Sequence, residues 1–161
     1  MEGFVEEIKA NYNDADVIIW YLLLQVSLGV RWLRIKLNKP FGYVRSSNKT
    51  HGKGNKIEGK VEPGQKVVVV EDLISTGGSV KDVVDSLREA GAIVIGVVAI
   101  FTYLLPAADE CFKALDVPYS TLSNYDVLIG VALENNYIEE SDLEKLKAWK
   151  KDPKDESWMN K

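Results

Sequence analysis

The chain has 161 residues, 46% of them hydrophobic, which suits one globular domain with a sizeable core and argues against a second. A formal charge of -4 excludes a whole-molecule field made for nucleic acid or an anionic membrane, so neither is an expected partner and any anion site must be local. The single cysteine, Cys111, excludes an intramolecular disulfide, and with the single histidine, His51, it excludes a Cys/His zinc cluster; this usage fits a reducing cytoplasm.

In chain order, GFVEEIKANY reads as a short helix with Phe4, Val5 and Ile8 inward, and it lacks the basic start and apolar run of a signal peptide. DVIIW is a buried strand. The apolar stretch from Val17 to Leu37 is broken by Gln25, Arg31, Arg34 and Lys36, which argues against a membrane span. Gly42 to Val44 forms a second, short strand and leads into RSSNKTHGKGNKIEGK. There Arg45, Lys49, Lys53, Lys56 and Lys60 stand against one acid, Glu58, among three glycines, a composition that predicts a mobile basic loop. The strand Val67 to Val70 is followed by a helix, Ser79 to Ala90, with Val80, Val83, Val84 and Leu87 on one face and Gly91 at its end. IVIGVVAIF is a continuous apolar strand, Pro106 to Leu115 a helix, Tyr119 to Leu122 a short strand, and Asn124 to Glu134 a helix. The closing helix starts at SDLE, where Ser141 and Glu144 have the spacing of a capping box. After Pro153 the tail is expected to fray, leaving one domain over 1–153 and a tail over 154–161. Strands alternating with helices imply an α/β fold with a mainly parallel sheet and helices on both faces.

The stretch VVVVEDLISTGGSV carries the chemistry. In an open parallel sheet ligands bind outside the carboxyl ends of the strands, and Glu71 and Asp72 fall there. The loop from Ser75 to Ser79 then offers hydroxyls, two glycines that permit close approach, and the free N–H groups of a helix start, a combination suited to a phosphate monoester. Carboxylates beside a phosphate cradle fit a ribose 5-phosphate, whose hydroxyls reach the acids while the loop holds the phosphate. A Walker A loop would need GK[ST] after the glycines and a dinucleotide fingerprint G-x-G-x-x-G, and both patterns are missing. The alternative is an acidic turn with a serine N-cap.

VVVVEDLISTGGS resembles the phosphoribosyl-diphosphate (PRPP) motif of type I phosphoribosyltransferases, and RSSNKTHGKGNKIEG resembles the catalytic loop of the orotate branch. The resemblance continues through GVVAIFTY and TLSNYDVLI. It implies PRPP binding by Arg45, Lys49, His51, Glu71, Asp72, Leu73, Ile74, Ser75, Thr76, Gly77, Gly78 and Ser79, with Ser75 also beside orotate. Arg45, Lys49 and His51 are the implied catalytic groups: cations on the leaving pyrophosphate, with Lys49 or His51 as proton donor. Mg2+ is implied as the cofactor, carried by PRPP and not by a protein metal site, and a homodimer as the assembly.

The sequence departs from the family pattern in three places. Ser46 replaces a second basic residue. The chain begins where the family has a further N-terminal portion that helps cover orotate, so that hood is expected to be missing. After the first core strand the family carries a small-residue loop of the kind GTATAGIP, whereas this chain reads IWYLLLQVSLGVRWLRIK, too bulky for pyrophosphate to approach the backbone. Two origins fit this segment, near residues 20–36. It is a reading-frame change, since suitable codons shifted by two nucleotides give ATAGIPWGALASD; or it is a genuine replacement, with Leu22, Leu23, Val26, Val30 and Leu33 on one helix face. Either predicts impaired pyrophosphate chemistry. Two other functions share the fold: a purine phosphoribosyltransferase, and a non-catalytic PRPP-binding regulator.

Overall fold

The computed structural model describes residues 2–21, 28–45 and 56–160. In chain order these form α1 (Glu2–Asn11), β1 (Val17–Tyr21), α2 (Leu28–Leu37), β2 (Phe41–Val44), β3 (Ile57–Glu58), β4 (Lys66–Ile74), α3 (Gly78–Glu89), β5 (Ile93–Thr102), α4 (Pro106–Leu115), β6 (Tyr119–Asn124), α5 (Tyr125–Glu134) and α6 (Leu143–Lys151). Leu22, Leu23 and Val26 of the altered segment, and the loop residues Ser46, Lys49, His51 and Lys53, lie outside the described residues.

The strands make one sheet in the order β3-β2-β1-β4-β5-β6. All neighbouring pairs are parallel except β2 with β3, which is antiparallel and closes one edge. The chain therefore leaves β1 first toward β2 and returns to the other side of β1 with β4. This reversal opens a crevice at the carboxyl ends of β1 and β4, the place where open α/β sheets bind ligands.

Both faces of the sheet are covered, which is why its strands read as continuous apolar runs. Val17, Ile19, Val67 and Val69 point to one face and pack with Val80, Val83, Val84 and Leu87 of α3 and with Ala108, Phe112 and Leu115 of α4. Ile18, Trp20, Val68 and Val70 point to the other and pack with Phe4, Val5 and Ile8 of α1 and with Leu33 and Leu37 of α2. The segment near residues 20–36 thus supplies core contacts through Leu33, while Ile35 on the same helix is 76% exposed. Against β5 the register of β4 shifts between Val67 and Val68, so Val67 faces Val94 and Val68 faces Gly96. The Tyr12 ring lies over Gly96, where a side chain would otherwise stand.

Several local expectations need correction. β4 runs on to Ile74, past the acids that interrupt its apolar pattern, because Leu73 and Ile74 still pair with Phe101 and Thr102. The capping box before α6 uses Glu139 and Asp142, with the Glu139 N–H donating to Asp142 at 2.9 Å, because a 3-10 turn over Glu140–Asp142 precedes the helix; Ser141 and Glu144 do not form it. Separate from these corrections, the tail has local order of its own in a 3-10 turn, Glu156–Asn160, where the Ser157 N–H and hydroxyl donate to Asp155.

Candidate functional site

β4 delivers Glu71 and Asp72 to the carboxyl edge of the sheet on opposite faces, and their surroundings differ sharply. Glu71 is only 3% exposed, whereas Asp72 is exposed to solvent. The Asp72 N–H donates to Glu71 Oε1 at 2.9 Å, but Glu71 Oε2 has no hydrogen-bond partner. A buried carboxyl oxygen without a partner is rare and marks a group built for something other than packing. Burial in the apolar sheet pushes the Glu71 carboxyl up to about 9, with Asp72 beside it adding to the rise. At neutral pH Glu71 is thus a neutral acid, able to donate as well as accept.

Beyond β4, Leu73 is partly exposed and Ile74 is anchored in the core at 1% exposure. Ser75, Thr76, Gly78 and Ser79 face solvent, while Gly77 is buried. Gly77 is the N-cap of α3, at φ 82, and no side chain caps the helix. The serine N-cap alternative is therefore not what forms: the amino end of α3 keeps its first N–H groups directed outward, as an anion cradle requires. A Cβ on Gly77 would stand 3.0 Å from both Cβ and Sγ of Cys111 on α4, so the cysteine is the floor on which the loop rests. Gly77→Ala is expected to lose about 1 to 2 kcal/mol from the left-handed backbone alone, with a further loss from the clash; a urea denaturation midpoint lowered at unchanged slope is the check.

Arg45 follows β2 and pairs with Glu58 of β3 at 2.8 Å, at the carboxyl end of β2, two strands from Glu71 on β4. Lys49 and His51, the other two predicted catalytic groups, lie outside the described residues. The fold thus brings Arg45, Glu71, Asp72 and the loop from Ser75 to Ser79 to one edge of the sheet. It also brings two groups not singled out as ligand contacts by sequence pattern. Tyr21 ends β1, and Asp82 sits on the first turns of α3; together with Arg45 and Lys56 they line a cavity of about 30 Å3. Burial pushes the Tyr21 phenol upward, and the carboxylates of Glu71 and then Asp82 add to the shift, so the ring stands close to both acids. Asp82 is three positions after Ser79 on α3, and no sequence motif marks it as a cavity residue.

Among the described residues no helix is long and apolar enough to cross a membrane.

The chain matches the family model described as phosphoribosyl transferase domain over residues 30–132. It is 52% identical over 161 residues to an orotate phosphoribosyltransferase of Bacillus pumilus (strain SAFR-032), a comparison covering 98% of this chain and 74% of that protein. Against an orotate phosphoribosyltransferase of Bacillus subtilis (strain 168) the identity is 55% over 125 residues, 78% of this chain and 58% of that protein. Its fold is similar to the crystal structure of orotate phosphoribosyltransferase from Aeropyrum pernix, with a TM-score of 0.67 over 85% of this chain and 75% of that one; at 23% identity this likeness speaks for the fold alone.

Proposed function

The chain belongs to the orotate phosphoribosyltransferase family, and from that premise we propose that it transfers the 5-phosphoribosyl group of PRPP to orotate, giving orotidine 5'-phosphate and pyrophosphate in pyrimidine nucleotide synthesis. The observation that carries this reading is Glu71, buried and with one oxygen unpartnered, immediately before a loop that opens onto the amino end of a helix. A ribose hydroxyl satisfies that oxygen while the N–H groups and hydroxyls over Ser75 to Ser79 hold the 5-phosphate, a spacing that fixes the sugar with its anomeric carbon toward the β1 end.

In the displacement, orotate N1 forms a bond to the anomeric carbon as the bond to the pyrophosphate oxygen breaks. The sugar passes through oxocarbenium character and the electron pair leaves with pyrophosphate. Arg45 supplies positive charge on the leaving-group side, where charge develops, joined by Lys49 and His51 of the basic loop. Ser75, at the head of the phosphate loop, is the proposed orotate contact. Mg2+ enters with PRPP, held by the substrate's own phosphates, and Asp72, exposed beside Glu71, is free to accept from a ribose hydroxyl. A homodimer fits the apolar face of α5, where Val127, Leu128 and Val131 are each about half exposed. The lone thiol of Cys111 suits the cytoplasm.

The test is Mg2+-dependent loss of orotate absorbance with PRPP, paired with the melting temperature. PRPP is expected to raise the melting temperature of the native chain, since it binds only the folded state. Asp72→Asn is expected to lower turnover at least about tenfold with little effect on stability, because Asp72 is exposed. Turnover with adenine or hypoxanthine in place of orotate would instead favour the purine branch.

A further inference from the structure

A second, larger cavity of about 520 Å3 lies between the turn that follows β5 and the helices α5 and α6. None of the described residues lining it comes from β4, α3 or the loop between them, and its volume falls within the range of small-molecule sites. Leu104, Pro106 and Ile129 give it an apolar wall. Leu104 is held at φ 55, a left-handed conformation rare for a bulky residue, and strain of this kind gathers at ligand sites. α6 is fixed in place by Trp149, whose ring centroid lies 5.5 Å from that of Tyr103 and 5.1 Å from that of Tyr125, so the cavity is bounded by packed elements.

The rest of the lining is charged. Lys147, Lys150 and Lys151 have the i, i+3, i+4 spacing of one face of α6, where like charges repel. Lys150 is balanced by Asp126 of α5, with Nζ 2.7 Å from both carboxylate oxygens. Lys147 comes only within 3.9 Å of Glu144, and Lys151 has no ion pair among the described residues. Basic groups in a last turn complement the helix dipole, which accounts for Lys150 and Lys151 at the helix end but not for their gathering with Lys147 around one apolar-walled cavity. With Asp126 as the sole acid in the lining, the three lysines leave two positive charges uncompensated there.

We propose that this cavity is a second anion site, separate from the 5-phosphate cradle over Ser75 to Ser79, and that it takes a nucleoside monophosphate. The phosphate dianion matches the excess charge of Lys147 and Lys151 and relieves the repulsion along α6. The base lies on the wall of Leu104, Pro106 and Ile129, and Asp126, held by Lys150, keeps lone pairs for a ribose hydroxyl. The inference goes beyond the phosphoribosyl-transfer reading and does not depend on it.

The experiment is isothermal titration of UMP into the full chain saturated with ribose 5-phosphate, so that the cradle is already filled, with inorganic phosphate titrated in parallel. The same titrations are run on Lys147→Ala/Lys151→Ala and on a control of equal charge, Lys9→Ala/Lys113→Ala; all four lysines are exposed, so both variants should fold. The expected result is one UMP bound per parent chain, binding at least about tenfold weaker in Lys147→Ala/Lys151→Ala, and no change in the control. Inorganic phosphate should bind the parent at least about tenfold more weakly than UMP, because it leaves the apolar wall unused. Absence of UMP binding by the saturated parent overturns the proposal, as does equal weakening in both variants or no weakening in the first. Phosphate binding as tight as UMP also overturns it and assigns the cavity to free phosphate. Failure of ribose 5-phosphate to bind counts against the phosphoribosyl reading itself, while the comparison of the two variants with UMP still decides the second site.

Discussion

Glu71→Gln is expected to abolish a fall in stability that the parent chain shows as pH rises from 5 to 9. The folded carboxyl titrates near 9 and an ordinary glutamate at 4.5. Below the lower value the carboxyl is protonated whether the chain is folded or not, so its contribution is fully present. Between the two values the unfolded chain releases the proton while the folded chain retains it, and each pH unit in that window disfavours folding by up to about 1.4 kcal/mol. Above 9 both states are ionised and the loss is complete. From pH 5 to pH 7 the parent should therefore lose about 2 to 3 kcal/mol from this group alone. Glutamine keeps the acceptor for the Asp72 N–H and has no proton to lose. Denaturant midpoints of both proteins across pH 5 to 9 read the difference directly, and parallel curves would mean that Glu71 is ionised in the folded chain. The same buried acid suits binding, because a neutral carboxyl meets a sugar hydroxyl without the desolvation penalty of a charge.

Gly96→Ala should destabilise the fold by about 3 kcal/mol, at the upper end of overpacking effects. A Cβ there would lie 2.2 Å from Tyr12 Cε1 and 2.5 Å from its Cζ, well inside contact distance. Although these are the outer atoms of a side chain, the ring cannot swing away freely: Tyr12 is 8% exposed and its hydroxyl interacts with Ser120 on β6. A double-mutant cycle separates the clash from any intrinsic effect of alanine in β5. In a Tyr12→Leu background, which removes the overlapping atoms, Gly96→Ala should be less destabilising by about 1 to 2 kcal/mol. Additive effects would show that the ring is not what the new methyl meets.

These two sites show where sequence pattern is a sufficient guide and where it stops. Glu71 was legible as a ligand group because two acids followed an apolar strand and preceded STGGS, yet its neutrality was not, since that depends on burial supplied by neighbouring strands. IVIGVVAIF reads as one continuous strand, and only Tyr12, 84 positions earlier, gives Gly96 within it a reason. β3 has only two residues and so shows no period, and the acids after Val70 interrupt the apolar pattern of β4 without ending the strand. Pairing decides strand length, and β5 continues alongside.

By itself the sequence determined the α/β alternation, the two apolar faces and the place of the acidic edge, because these follow from periodicity and β-branched runs over a few neighbouring residues. The tertiary structure alone decided that Tyr21, Arg45, Lys56 and Asp82 share one small cavity and that burial pushes the Glu71 carboxyl up to about 9. Those residues come from separate strands, a helix and the end of a loop, and sheet order brings them together. Electrostatics and steric exclusion act through space, so their outcome depends on neighbours that no local pattern contains.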